Sequence, residues 1–371
     1  MEKLRKTAEG LLSLAGIEIN GTHPWDIHVH NDNFYRRVLT QGSLGLGESY
    51  MDAWWDCEKL DQFFCRIVRA NLEDKVKGNW RLFLRVLAAR IFNLQSKARA
   101  FQIGEKHYDL GNDIFENMLD KRMVYSCAYW KNAHTLDEAQ ENKLDLVCRK
   151  IGLQPGMRIL DIGCGWGSFA KYAAEKYGAT VVGITVSKEQ VALGRNLCRG
   201  LPVEIRLQDY RDIDESFDHI VSLGMFEHVG YKNYKIYMKC VHKCLKDDGL
   251  FLLHTIGGNE SVVAPEPWIH KYIFPNSLLP SIKQIGAAIE GLFVIEDWHN
   301  FSVDYDRTLM AWHRNFENSW DTIKLHYDER FYRMWRYFLL SNAGSFRARK
   351  DQLWQIVLSK RGVLGGYTSI R

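Results

Sequence analysis

The sequence predicts an α/β fold with a doubly wound, mostly parallel sheet, preceded by a smaller helical N-terminal domain. Three observations carry this. The run from Ile159 to Ser168 joins an apolar stretch ending in Asp161 to glycines at 163, 165 and 167, and a helix-compatible run follows, which reads as strand, tight turn, helix. Further on, apolar runs alternate with helical segments, as in parallel strands joined by crossover helices. Before about residue 95 that alternation is missing and the chain reads as mostly helical.

The 371 residues, 46% hydrophobic and 25% charged, suffice for a sizeable core in one large domain with an appendage, or in two domains. A net charge of +4 is too small to argue nucleic-acid binding, and no nucleic-acid partner is assigned. The 12 Trp, 17 Tyr and 18 Phe suit a pocket for apolar material, although core packing is the simpler use of each ring. Eight cysteines lack a disulfide-framework spacing, the N-terminus shows no convincing signal peptide, and no stretch nears the roughly 18 apolar residues of a membrane span. A cytoplasmic chain with reduced thiols is expected.

In chain order, turns are expected near Gly42–Gly47, and Trp54 and Trp55 are assigned to core packing. From Lys75 to Lys106 the charge is one-sided. Lys75, Lys77, Arg81, Arg85, Arg90, Lys97, Arg99 and Lys106 face the acid Glu105, while Trp80, Phe83, Leu84, Leu87, Ile91 and Leu94 recur at helical steps. Such a helix suits an anionic membrane surface, and equally a helix packed on its neighbours with a solvated basic face. The organisation drawn from this is a helical domain over residues 1–95, a linker over 96–105 and an α/β domain over 106–371. Thr135 and Glu138 form a capping box for a helix from Ala139 to Ile151. Strands follow at Thr180–Thr185, Pro202–Leu207, Phe217–Leu223 and Leu250–Ile256, with Ser187 capping a helix from Lys188 to Arg199. Later strands are expected at Phe293–Trp298 and Leu353–Leu358, with 259–290 and 305–345 as insertions or lids.

In open α/β sheets ligands bind beyond the carboxyl ends of the strands. Those ends carry Asp161 with the glycines, Thr185, Asp209 with Tyr210, Glu227 and His254, which should converge on one crevice. The spacing G-x-G-x-G departs from the dinucleotide G-x-G-x-x-G, and Thr185 stands where a dinucleotide site places an acid. Both features disfavour a nicotinamide dehydrogenase. Ribose binding then falls to Thr185, Gln190 or another group, and Asp209 and Tyr210 could serve an adenine. Glu227 and His254 form a potential acid/base pair, and each is also a plausible satisfied structural residue. Cys240, His242 and Cys244 are read as packed side chains, because residues two apart on a helix diverge, and no metal is assigned.

With these residues in view the chain resembles the bacterial cyclopropane-fatty-acyl-phospholipid synthases and, more distantly, the mycolic acid cyclopropane synthases. The matching pieces are His107–Asn112, Met123–Trp130, Leu153–Gly156, Leu160–Gly167, Gly183–Gln190, Gln208–Asp212, Phe226–Gly230 and the tail from Gly344 to Gln355. The block Tyr125-Ser126-Cys127-Ala128-Tyr129 is far more specific than the glycines. The resemblance implies a Rossmann-like class I methyltransferase fold that uses S-adenosylmethionine (SAM). It implies methyl transfer to the cis double bond of an unsaturated acyl chain in a membrane phospholipid, with ring closure by loss of a proton to bound bicarbonate. The positions matching the bicarbonate group are Cys127, Glu227, His254, Ile256 and Tyr305, with Cys127 contributing its backbone. For SAM the resemblance points to Tyr125 and Ser126 near the methionine end, and to Asp161, Gly163, Gly165, Gly167, Thr185 and Gln190. Asp209 and Tyr210 fall at the adenine. It further implies an N-terminal lipid-binding domain, peripheral association with the inner membrane and a homodimer. The rival readings are another SAM enzyme methylating lipid or amine, and a non-catalytic protein that binds SAM and lipid.

Overall fold

The structure is a computed structural model that describes residues 1–72 and 112–371. The basic run Lys75–Lys106, the 96–105 linker and most of the His107–Asn112 motif lie outside the described residues. The chain forms two compact units. In described residues, the first gathers 1–72, Val263–Pro275 and Tyr305–Asp351, and the second gathers 112–262, Asn276–Asp304 and Gln352–Arg371.

The first unit is helical. It contains Glu2–Ser13, Asn33–Gln41, Ser43–Met51, Leu60–Arg69, Pro267–Tyr272 and Glu329–Arg347, together with most of Val303–Ile323. Two short antiparallel strands, β1 (His28–Val29) and β2 (Trp55–Asp56), accompany them. The segment 305–345, expected as an insertion or lid, thus supplies two long helices to this unit's core. Arg347 forms ion pairs with Asp61 and Asp306, tying both to Leu60–Arg69. Trp55 is fully buried among Phe34, Tyr50 and Phe63, as expected, whereas Trp54 is only half-buried beneath the Arg37 guanidinium. The turn expected across Gly42–Gly47 is confined to Gly42. Gly45 and Gly47 lie inside the helix Ser43–Met51, where they allow close packing. A Cβ at Gly45 would come within 2.4 Å of the Arg37 carbonyl, and one at Gly47 within 2.3 Å of the Trp268 ring.

The second unit holds, among the described residues, a seven-stranded sheet. Its strands are β3 (Arg158–Ile162), β4 (Thr180–Thr185), β5 (Val203–Leu207), β6 (His219–Leu223), β7 (Leu250–Gly258), β8 (Val294–Asn300) and β9 (Asp351–Ser359). Their order is β5-β4-β3-β6-β7-β9-β8. The first five run parallel, and β8 pairs antiparallel with β9. The fold class read from the sequence is thus present, and each expected strand agrees with an observed one to within a few residues.

Alternation along the strands divides the core. Leu160, Ile162, Val182, Ile184, Ile220, Phe251 and Leu253 belong to one cluster, while Ile159, Val181, Ile205, Val221 and Leu252 belong to another, as expected for a sheet covered on both faces. The helix Leu136–Lys150 starts at the expected capping box, with the Thr135 side chain accepting from the Glu138 N–H and the Glu138 carboxylate accepting from the Thr135 N–H. Chain order reverses between β3 and β6, which places the ligand crevice at their carboxyl ends.

Candidate active site

The glycine turn leaves β3 with Gly163, Gly165 and Gly167 all at positive φ, a conformation open to glycine at little cost. The Gly163 and Cys164 N–H groups donate to the Ile184 carbonyl at 2.9 and 3.0 Å, binding the turn to β4. A Cβ on Gly163 would lie 2.6 Å from Met225, whereas one on Gly165 would meet nothing within 4 Å. Gly165 therefore leaves open space at its own backbone. Just before the turn, Asp161 is 1% exposed and neither carboxylate oxygen has a hydrogen-bond partner among the described residues. Burial pushes this carboxyl up to about 7, against the pull of the Lys143 charge.

The ends of β4 and β5 carry the next candidates. The Thr185 hydroxyl donates to Gln190 Oε1 at 2.6 Å and accepts the Ser187 N–H at 3.2 Å, so these expected cofactor residues form one buried group. Asp209 accepts the Arg211 N–H at 2.9 Å and pairs with the Arg211 guanidinium at 3.0 Å. The Tyr210 ring belongs to the core, edge-on to Tyr237 at 5.0 Å.

Across the switch point β6 ends at Leu223, which is in register with His254 of β7. The Gly224 N–H then donates to the His254 carbonyl at 2.9 Å. A single 3₁₀ turn, Phe226–His228, presents Glu227. Its Oε1 accepts the Ile256 N–H at 2.6 Å, while its buried Oε2 has no hydrogen-bond partner among the described residues. Burial raises this carboxyl to about 7, against the backbone hydrogen bonds and the Thr255 hydroxyl, which favour its charged form. His254 is 1% exposed. Gln355 Nε2 lies 3.3 Å from its Nδ1, and because an amide nitrogen only donates, Nδ1 accepts and the ring proton is assigned to Nε2, which has no partner among the described residues. Burial and the Lys143 and Lys150 charges hold the imidazole well below its ordinary pKa, so it is neutral.

The irregular segment Tyr125–Cys127 is held by the helix Leu136–Lys150. Gln140 Nε2 donates to the Val124 and Ser126 carbonyls at 3.3 and 2.8 Å, and Lys143 Nζ donates to Ser126 Oγ at 3.0 Å. Buried Asp120 accepts the Arg122 and Val124 N–H groups and fixes the start of the segment. The buried Cys127 thiol donates to the Ala128 carbonyl at 3.1 Å. Tyr305 belongs to the first unit, where its ring meets Phe346 at 4.6 Å and Trp312 at 6.0 Å.

The structure thus joins Glu227 to Ile256 by a direct hydrogen bond, with His254 two residues earlier on β7, level with the last residue of β6, and it joins Thr185 with Gln190 at the end of β4. Gln140 and Lys143 were not singled out by sequence reasoning. They sit on the helix face that also carries Leu136, Ala139, Leu144 and Val147, and polar residues among core positions are the signal that could have found them.

The relatives of this chain make it a SAM-dependent methyltransferase, and the glycine turn at the switch point of the sheet fits that class. The chain belongs to the mycolic acid cyclopropane synthetase family, whose model matches residues 95–356. It is 56% identical over 361 residues to the cyclopropane-fatty-acyl-phospholipid synthase of Escherichia coli, spanning 97% of this chain and 94% of that one. A sphingolipid C9-methyltransferase of Emericella nidulans is 36% identical over 68% of this chain and 52% of its own. Among solved structures, the cyclopropane synthase MmaA2 from Mycobacterium tuberculosis aligns with TM-score 0.66 and 32% identity, covering 70% of this chain and 98% of that one. A mycolic acid cyclopropane synthase complexed with SAH and CTAB aligns with TM-score 0.64 and 34% identity, over 70% and 98%.

Proposed function

We propose that this chain transfers the SAM methyl to the cis double bond of an unsaturated acyl chain in a membrane phospholipid, and that loss of a proton then closes a cyclopropane ring. The observation that carries the reading is the Glu227–His254 corner. One carboxyl oxygen is held by Ile256, and among the described residues the other has no hydrogen-bond partner, nor has His254 Nε2. SAM supplies the electrophilic methyl, and bound bicarbonate the base.

The residues fit both groups. Neutral His254 can donate from Nε2 to an anion, and Glu227, with its carboxyl raised to about 7, can donate in its protonated form. Cys127 and Ile256 complete the anion site, Ile256 by fixing Glu227. Tyr305 is retained as a fifth member on the family resemblance alone. For SAM, the open face of Gly165 and the unpartnered Asp161 carboxylate support the glycine turn as its seat. Tyr125, Ser126, Thr185, Gln190 and Asp209 complete that set. Tyr210, whose ring is buried, is kept with Asp209 at the adenine in this reading. Residues 1–95 and the basic run to Lys106 serve the anionic membrane surface, and the chain acts as a peripheral homodimer at the inner membrane. Among the described residues no helix is long and apolar enough to cross a membrane.

The test is product formation on vesicles of anionic, cis-unsaturated phospholipid, with and without bicarbonate. Dependence on bicarbonate is expected. A rate unchanged when bicarbonate is exhaustively removed contradicts the assigned base, and transfer to amines alone contradicts the substrate.

A further inference from the structure

Lys143 is a lysine in an unusual place. It is 1% exposed, on the inner face of the helix Leu136–Lys150, and no acid among the described residues accepts a hydrogen bond from it. Among the described residues its one hydrogen bond goes to Ser126 Oγ at 3.0 Å, leaving two N–H donors of the ammonium without a protein acceptor. Asp161, which interacts with it electrostatically, has neither oxygen hydrogen-bonded among the described residues. A buried ammonium with spare donors near a buried carboxylate with spare acceptors is costly unless a polar group completes it. One turn of helix away, Gln140 clamps the Val124 and Ser126 carbonyls, so both side chains act on the same short segment.

We propose that Lys143 is a positioning residue, the fixed positive charge beneath Ser126–Cys127 that attracts a carboxylate-type anion bound at that segment. This rests on the function proposed above, which supplies two sources of such an anion: bicarbonate and the methionine carboxylate of SAM. The charged and titratable groups that act on Lys143 are Asp120, Cys127 and Asp161, and Lys143 in turn acts on His254. Burial lowers the lysine only to about 8, so the cation persists at neutral pH. The same charge helps keep His254 neutral, with Nδ1 accepting and Nε2 donating.

Three variants of the full chain test this. Lys143→Met keeps the stem and removes charge and donor, Lys143→Gln removes charge but keeps a donor, and Lys143→Arg keeps charge. SAH affinity by calorimetry, which needs no turnover, and the half-saturating bicarbonate concentration for product formation are measured for each. The expected result is a rise of about tenfold in one of the two constants for Lys143→Met and Lys143→Gln, with Lys143→Arg recovering most of it. A change in SAH affinity assigns the methionine carboxylate, and a change in the bicarbonate constant assigns bicarbonate. If both constants stay within about twofold in the neutral variants while only thermal stability falls, the lysine is merely structural and the inference is overturned. Should Lys143→Met not fold, Lys143→Gln decides. A wild-type chain without bicarbonate dependence refutes the proposed base instead, and the SAH constant still decides the role of Lys143.

Discussion

Glu227 Oε1 accepts the Ile256 N–H at 2.6 Å, so the carboxyl that follows β6 is fixed by the backbone of β7. The bond occupies one oxygen and aims the acid from a rigid element, leaving Oε2 for a ligand. Its chemical value follows from burial, which keeps a protonated form available near neutrality.

Replacing this acid by its amide tests whether the group acts on protons. Glu227→Gln keeps an oxygen for the Ile256 N–H, so the fold and SAH affinity should persist. Product formation on vesicles should fall by about 10²-fold or more.

The same burial makes a prediction about pH and stability. A carboxyl raised from 4.5 to about 7 binds a proton more tightly when folded, so its stabilising contribution is complete below pH 4.5 and is lost as pH rises through 7. The melting temperature of the wild type relative to Glu227→Gln should therefore decline across that interval. Comparing the pair cancels the histidines, of which His254 and His228 are depressed and act with the opposite sign.

Two glycines of one turn should fail in different ways. Gly163→Ala combines positive φ with a Cβ 2.6 Å from Met225, and should lose about 1–3 kcal/mol of stability in denaturant melts. Gly165→Ala meets no protein atom within 4 Å, so its stability loss should be smaller and its loss of SAH affinity larger. Equal affinities in the two variants would contradict the placement of SAM over Gly165.

Outside the site, Thr135→Ala removes the acceptor for the Glu138 N–H and should cost about 1 kcal/mol by the same melts. Because the helix it opens carries Gln140 and Lys143, proteolysis near Tyr125–Cys127 should rise in parallel.

The strands were legible because their apolar runs end in turn formers, and so was the position of Asp161, Thr185 and Glu227 at or just beyond strand ends, whereas β7 runs on to Gly258 and leaves His254 in its middle. Three features were not legible. Gly45 and Gly47 look like turn residues, but their role is to let Arg37 and Trp268 approach a helix, a contact made with residues distant in sequence for Trp268. The long helices through 305–347 read as insertions because their partner, Leu60–Arg69, lies far away in the chain and the Arg347–Asp61 ion pair has no local signal. Lys143 was hidden for a different reason. A lysine in a helix reads as solvent-facing, and only the Ser126 hydroxyl waiting in a loop marks it as internal.

The most direct test of the central claim is mass spectrometry of the phospholipid after incubation with SAM carrying a trideuterated methyl group. The account predicts an acyl chain that has lost its double bond and gained one carbon bearing two deuterons, the third having left as the proton that closes the ring. An acyl chain that retains all three deuterons, or keeps its double bond while SAM is consumed, would contradict it.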